Sequence, residues 1–177
     1  MKRFGVWFVV VMILIGVAIF AANEILLSSP MSQVIANDPR NSGVDVSVHF
    51  GCFVDPRVLV YDIQGVSGDK SEADVFRVFL QFAHEVQATK FEEVDLACKG
   101  HTKFIIHGSY FRQLGHDYSW QNPVYTDRTF PENVFNPDGS PAYAAVEGGF
   151  LGVDLEEIQD FNDLHARWWK SELAADQ

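Results

Sequence analysis

The chain begins with an unbroken run of hydrophobic residues. Residues 4–22 read FGVWFVVVMILIGVAIFAA, with no charge and no strong hydrogen-bonding side chain, and Lys2 and Arg3 precede them. At about 1.5 Å per residue a helix of this length measures roughly 28 Å, close to the hydrocarbon thickness of a bilayer. The run is longer than the apolar region of a secretory signal, and its cleavage sites are poor. The pattern predicts an uncleaved membrane anchor over residues 1–22, with a cleaved signal as the alternative.

Basic residues beside the apolar run predict the orientation of this anchor. Lys2 and Arg3 outweigh Arg40, the single basic residue in the twenty positions after Ala22. Short basic flanks favour the cytoplasmic side of a membrane. We therefore expect the amino terminus in the cytoplasm and the rest of the chain outside it, in the periplasm if the source is bacterial.

Turn-forming residues and then strict alternation follow the anchor. Residues 23–43 are rich in Ser, Asn and Pro, which predicts a linker of loop structure with at most one helical turn. Apolar and polar residues alternate over residues 44–54, as in a half-buried strand. Residues 55–57 form a turn sequence, and residues 58–64 read as a second strand. This part of the chain is therefore expected to form a hairpin.

Two segments have the hydrophobic period of a helix. Ser71 is a candidate N-cap with Asp74 three residues later, and an apolar stripe continues from there, so a helix is expected over residues 71–88. A second stripe predicts a closing helix over residues 155–174. His165 lies on its apolar side and is expected to pack in the core, with a ligand or partner contact as the alternative.

Alternation returns between these helices. Residues 94–98 read as a strand, residues 99–101 as a turn and residues 104–111 as another strand. A long excursion with four prolines and four glycines follows over residues 112–150. Strands followed by helices in this order are typical of an α+β domain. We therefore expect one exported domain over residues 44–177, with an antiparallel sheet and helices packed on one face.

Length and charge narrow the class of protein. The 177 residues are 47% hydrophobic and 21% charged, which suits one globular domain. Thirteen basic and 24 acidic residues give a net charge of -11, which argues against nucleic acid as a partner. Without Lys2 and Arg3, residues 23–177 keep 11 basic and 24 acidic residues, a net charge of -13. Such a domain is repelled by anionic lipid and suits a basic or amphipathic protein partner.

Cysteine and histidine positions bear on redox state and metal binding. Cys52 and Cys98 each share the parity of the buried face of their strand, so they are expected to point into the core. Either a disulfide between them or two buried free thiols fits this pattern. Two cysteines are too few for a cysteine-only zinc site, and the six histidines lack the spacing of a ligand motif. No metal or other cofactor is predicted.

One polar cluster has residue types that a hydrolase needs. His107, Ser109, His116 and Asp117 supply a hydroxyl, two imidazoles and a carboxylate within eleven residues. No Gly-x-Ser-x-Gly elbow accompanies them, so the pattern favours ordinary polar contacts over catalysis. Asp62 stands among apolar strand residues and is the candidate for a buried carboxylate, either hydrogen-bonded or with a raised pKa, with exposure at the end of the strand as the alternative.

Aromatic residues are concentrated in the irregular segment. Tyr118, Trp120 and Tyr125, with His116 beside them, stand among polar residues in the composition of a recognition surface. The sequence thus favours a single-pass membrane-anchored domain that acts as a binding or accessory component of the cell envelope, with this surface in contact with an envelope protein. The alternatives are an exported hydrolase that uses the Ser/His/Asp cluster, and a small-ligand carrier with the aromatic loop as its lid.

Overall fold

A computed structural model describes residues 2–120, 126, 129–144 and 150–175. The helices are α1 (Lys2–Asn23), α2 (Ser29–Asn37), α3 (Glu72–Glu85), α4 (Gly108–Asp117), α5 (Phe150–His165) and α6 (Ser171–Ala175). The strands are β1 (Val44–Gly51), β2 (Asp55–Val66), β3 (Glu93–Cys98), β4 (His101–His107) and β5 (Val134–Phe135). Two π-helical turns, Glu24–Ser28 and Ala166–Lys170, connect helices, and 3₁₀ turns lie at Pro39–Asn41 and Pro131–Asn133.

The strands form one mixed sheet in the order β1-β2-β3-β4-β5. β2 and β3 are parallel, while the other neighbouring pairs are antiparallel. The α+β class is therefore confirmed, but the prediction of a wholly antiparallel sheet is wrong. The reason lies in α3, which carries the chain from the end of β2 back to the level where β2 began, so that β3 runs in the same direction.

The hydrophobic core lies on one face of this sheet. Two rows of paired residues cross four strands and are buried throughout: Phe50, Leu59, Val94 and Ile106 in one, and Val48, Tyr61, Leu96 and Phe104 in the other. The Tyr61 ring lies 5.1 Å from the Phe79 ring of α3 and 5.9 Å from the Trp168 ring, centroid to centroid. Helices thus pack on one face, as predicted.

The helix α3 begins where its capping signal predicts. The Ser71 hydroxyl accepts a hydrogen bond from the Asp74 N–H at 3.3 Å, and the Asp74 carboxylate accepts one from the Ser71 N–H at 2.9 Å. This reciprocal pair satisfies two backbone donors that the first turn leaves without helical partners. The helix ends at Glu85, three residues before the predicted end.

Residues 23–43 do not form the predicted loop linker. The helix α1 continues through a π-helical turn into α2, so that one helical stretch runs from Lys2 to Asn37. Leu27, Met31 and Val34 recur at helical spacing and are buried in the core. Their burial stabilises a helix in a segment that its loop-forming residues alone would not favour.

Pro30 explains the π-helical turn at this junction. A proline inside a helix lacks the N–H that would bond four residues back, and its ring clashes with that carbonyl, here of Leu26. The Ser29 N–H donates instead to the Glu24 carbonyl, five residues earlier. The wider turn lets the helix continue past the proline.

The predicted strand over residues 104–111 changes into a helix at Gly108. A Cβ atom at Gly108 would lie 2.0 Å from the Phe91 carbonyl oxygen, so only glycine permits this close approach of two backbones. Beyond it, Phe111 and Leu114 are buried at helical spacing. Ser109 therefore lies on α4, beyond the end of the strand that carries His107.

Gly115 sets the distance between α3 and α4. A Cβ atom there would lie 2.1 Å from the Ala83 carbonyl oxygen. We expect Gly115→Ala to lower the free energy of unfolding by about 2–3 kcal/mol, since the helices must separate. Urea denaturation of the full chain in micelles measures this. Gly68→Ala is the matched control, because nothing lies within 4 Å of its Cβ position. Equal stability of the two variants would contradict the tight contact.

Candidate functional site

Among the described residues, one helix is long and apolar enough to cross a membrane. It extends from Trp7 to Asn37, and only 6% of its most apolar window is buried inside the protein. Large hydrophobic side chains from Trp7 to Phe20 are exposed around it. The predicted apolar anchor is thus a helix that the rest of the chain leaves uncovered.

Within the predicted Ser/His/Asp cluster, Ser109 and His116 line one pocket of about 340 Å³ on α4, but no hydrogen bond joins these two side chains. Ser109 and His116 lie on the same helix seven positions apart, which separates their Cα atoms by about 10 Å. A nucleophile and its base must come within roughly 3.2 Å of each other. His116 Nδ1 lies 3.1 Å from the Asp117 carboxylate, but the His116 side chain is exposed. His107 packs instead on the Phe135 ring, 4.9 Å between centroids.

Asp62 is buried and has a structural role. Both oxygens of its carboxylate accept hydrogen bonds from the Gly100 N–H, at 3.2 and 3.0 Å. Lys99 and Gly100 have φ angles of 52° and 81°, in the left-handed region. Asp62 thus holds the tight turn between β3 and β4, which is the hydrogen-bonded alternative that the sequence left open.

Asp95 is a carboxylate that sequence reasoning missed. It is half-buried on β3, and its Oδ2 atom accepts a hydrogen bond from the Thr102 hydroxyl at 3.3 Å. Burial, with the nearby Glu93 carboxylate, raises the pKa of Asp95. A single Asp between Val94 and Leu96 is the same sequence signal that drew attention to Asp62.

The two cysteines are free thiols far from each other. Cys52 lies in the turn after β1 and is exposed, because the strand ends at Gly51 and its alternation stops there. Cys98 is buried and pairs with Ile63, near the carboxyl end of β2. The turn that contains Cys52 lies at the other end of β2, next to Asp55. Eight strand residues separate these two levels by roughly 25 Å, and a disulfide requires Cα atoms within about 7 Å. The alternative of an intrachain disulfide is therefore wrong, and so is the prediction that Cys52 is buried.

The predicted contact residues lie around the carboxyl end of α4. Trp120 is 65% exposed, and His116 is exposed beside it. Tyr118 is half-buried, with its ring centroid 5.7 Å from that of His84. Tyr125 lies outside the described residues. We call His116, Tyr118 and Trp120 the α4-end surface.

A polar recess of about 350 Å³ adjoins Tyr118. It is lined by Val34, Asn37, Asp38, Arg40, Gln81, His84, Glu85 and Tyr118. Arg40 pairs with Asp38 at 2.6 Å and, through this hydrogen bond, holds the pKa of the Asp38 carboxyl well below its usual range. The Arg40 side chain is itself mostly exposed, so the recess presents one cation and two carboxylates to a partner.

Asn41 joins this recess to the core. It is fully buried, and its amide donates to the Val34 carbonyl at 2.8 Å and to the Gln81 side chain at 2.5 Å. The Arg77 guanidinium donates to the Asn41 oxygen at 3.3 Å and to the Arg40 carbonyl at 3.1 Å. This network fixes the chain between α2 and β1 against α3. The residues Pro39, Arg40 and Asn41 gave no indication of this hydrogen-bond network in the sequence.

A groove of about 660 Å³ runs between α2 and β1. It is lined by Met31, Ser32, Ile35, Ala36, Gly43, Val44, Asp45, Val46, Gly65, Val66 and Ser67. β1 is an edge strand of the described sheet. The Phe50 N–H points away from β2, since it donates to the Asn23 side chain at 2.8 Å. Alternate residues Val48 and Val46 therefore direct their backbone groups to the same outer edge.

No family model matches the chain, and comparisons with curated proteins and with solved structures also give no match.

His165 is a fully buried histidine in the aromatic part of the core. Its Nδ1 atom accepts a hydrogen bond from the Trp169 indole N–H at 2.7 Å, and the Phe161 ring lies 4.5 Å away, centroid to centroid. The π-helical turn Ala166–Lys170 brings both Trp168 and Trp169 inside. Burial lowers the pKa of His165 to about 3, since the charged imidazolium would lose its hydration. His165 is thus a core residue, as predicted.

This lowered pKa makes stability depend on pH. Below about pH 6.5 the unfolded chain protonates His165, while the folded chain keeps it neutral until about pH 3. The free energy of unfolding should therefore fall as pH decreases through this window, by up to about 1.4 kcal/mol per pH unit from this residue. Urea denaturation between pH 7.5 and 5 measures the slope. His165→Asn should flatten it, whereas His101→Asn, at an exposed position, should leave it unchanged. Equal slopes in both variants would refute this assignment.

Proposed function

We propose that this protein is a single-pass, membrane-anchored domain that lies outside the cytoplasm and binds a partner in the cell envelope. The uncovered apolar helix supports the anchor. Lys2 and Arg3 at its start support a cytoplasmic amino terminus. The net charge of -13 over residues 23–177 supports a basic or amphipathic protein partner.

The continuous helix between the apolar run and the domain implies that the domain lies at a fixed height above the membrane. If the span ends near Ala22, the helix continues about 20 Å beyond the bilayer surface to Asn37. Leu27, Met31 and Val34 pack this continuation into the core. The domain is therefore held close to the membrane in one orientation, which suits a component that meets a neighbour in the same membrane.

One observation carries the choice of contact surface: Trp120 is 65% exposed at the end of α4. An exposed indole leaves a large apolar area in water, and tryptophan is enriched among residues that dominate binding energy. His116 and the rim of Tyr118 extend the surface with hydrogen-bonding groups. The adjoining polar recess supplies the Arg40 guanidinium at its border.

Cross-linking in the membrane tests this surface. A photo-reactive amino acid at Gln113, exposed on α4, should capture one partner in the full-length chain. Trp120→Ala should reduce that product by at least tenfold, since loss of a central tryptophan costs about 2 kcal/mol or more of binding energy. Ile158→Ala, at a residue 50% exposed on α5, is the matched control and should change nothing. Equal yields from both variants would contradict the proposal.

The distances favour this binding role over the hydrolase alternative. Ser109 and His116 are separated by two helical turns, with Cα atoms about 10 Å apart, and no hydrogen bond joins the Ser109 hydroxyl to the His116 imidazole. A separate candidate location is the groove beside β1, where the outward backbone groups of Val46 could pair with an extended peptide.

Strand addition to β1 is thus a second candidate function, with its own test. Peptides selected from a random library on the full-length protein in nanodiscs should lose binding by at least tenfold in Ala36→Trp, because the indole fills the groove. Gln33→Trp, on an exposed position of α2 outside the groove, should bind as the unchanged protein does. Selected peptides that bind Ala36→Trp normally, or no selected peptide at all, would remove this candidate.

A further inference from the structure

The turn between β1 and β2 exposes hydrophobic side chains in an unfavourable backbone conformation. We call residues 52–54 the β1–β2 tip. Phe53 and Val54 are 57% and 60% exposed. Cys52 and Phe53 have φ angles of 48° and 64°, the left-handed region that bulky residues seldom occupy. A turn whose conformation suits glycine thus carries a cysteine and a phenylalanine, which costs stability without burying the phenylalanine in the protein.

The Asn23 side chain ties this tip to the anchor. Asn23 is 7% exposed, and its amide nitrogen donates to the Phe53 carbonyl at 2.8 Å. Its amide oxygen accepts from the Phe50 N–H, also at 2.8 Å. Both ends of one side chain are therefore used to hold the turn against the last turn of α1. The His49 ring stacks on the Phe53 ring at 4.1 Å between centroids and fixes the phenylalanine from the other side.

The tip extends along the anchor toward the membrane. A pocket of about 260 Å³ separates it from α1, and both Gly16 and Phe20 line this pocket together with Phe53. Gly16 lies six residues before Ala22, where the apolar run ends, which corresponds to about 9 Å along the helix. If α1 spans the bilayer over residues 4–22, the tip therefore lies at the level where the helix leaves the hydrocarbon, since Asn23 contacts Phe53 directly and the shared pocket extends from there toward Gly16.

We propose that the β1–β2 tip inserts into the outer interface of the bilayer that α1 spans and forms a second membrane contact. The proposal rests on the anchor in the proposed function above. Lipid fits the tip because residues 51–54 carry no charge. The first carboxylate after them, on Asp55, is paired with Arg57 at 2.8 Å. The nearest carboxylate on the helix side is that of Glu24, which is exposed, lines the pocket beside Phe53 and lies beyond Ala22, outside the apolar run.

Exposed apolar residues on the helix beside the β1–β2 tip extend the apolar surface of the tip. Ile25 and Leu26 are 68% and 46% exposed at the junction, just beyond the anchor. Together with Phe53 and Val54 they surround the point where the helix leaves the membrane with apolar side chains. Helix and tip are two contacts with one bilayer, and two contacts fix the tilt of the domain as well as its height.

Cys52 provides a natural probe of this contact, because Cys98 is buried. The full-length protein in phosphatidylcholine vesicles is treated with a membrane-impermeant maleimide. The labelling of Cys52 should be at least tenfold slower than that of a cysteine at position 120, introduced by Trp120→Cys in a Cys52→Ser chain. Only thiols on the accessible side of the vesicle are counted in each case. Equal rates would overturn the insertion.

Two further measurements separate the possible causes of slow labelling. Protection that is lost as the protein-to-lipid ratio falls would indicate a second copy of the chain as the cover and would overturn the proposal. Val54→Asp places a charge in the interface and should bring Cys52 to within about threefold of the control rate; unchanged protection in this variant would also overturn it. Resistance to carbonate extraction reports on the anchor alone. A protein that is extracted refutes the proposed function and the tip contact with it, whereas equal labelling rates in a protein that resists extraction refute the tip contact alone.

Discussion

The packing of Leu27, Met31 and Val34 into the domain core determines how every other surface is placed. These residues belong to the same helical stretch as the apolar anchor, which runs from Trp7 to Asn37. A chain that joined its anchor and its domain through a loop could sample many orientations. Here the hydrophobic effect that folds the domain also fixes the direction of the anchor, because one helix takes part in both.

The one-sided core explains why the sites lie where they do. Helices cover one face of the sheet with aromatic rings, and the π-helical turn at Ala166–Lys170 brings two consecutive tryptophans inside. A fully buried histidine there is held neutral by its surroundings. The groups with hydrogen-bonding chemistry lie elsewhere, at strand ends, on the surface of α4 and along the edge of β1. The binding role proposed above rests on these surface groups.

Charge and hydrophobicity divide the surface between two kinds of contact. The domain beyond the anchor carries a net charge of -13, which keeps it soluble and repels it from anionic lipid. The β1–β2 tip is the uncharged exception, and it lies beside the helix at the point where a membrane surface would be. The exposed Trp120 lies at the end of α4, where the neighbouring polar recess suits a protein partner.

Features encoded within a few neighbouring residues could be predicted from the sequence. The apolar run, the alternation in β1 and the capping pair Ser71 and Asp74 act locally, so the apolar helix, the strand and the start of α3 are where expected. The closing helix and the buried His165 follow from helical spacing in the same way. The α+β class followed from the order of these elements.

Tertiary structure decided what depends on groups distant in sequence. The parallel pairing of β2 with β3 depends on the path of α3. The helix over residues 29–37 depends on the burial of one of its faces in the core, because the local sequence does not favour a helix there. The change from strand to helix at Gly108 depends on the close approach of the Phe91 carbonyl. The exposure of Cys52 depends on where β1 ends, beside the Asn23 side chain. The sequence by itself determined which elements form, since capping and periodicity are local. Their directions, ends and contacts were set by packing between segments that only the folded chain brings together.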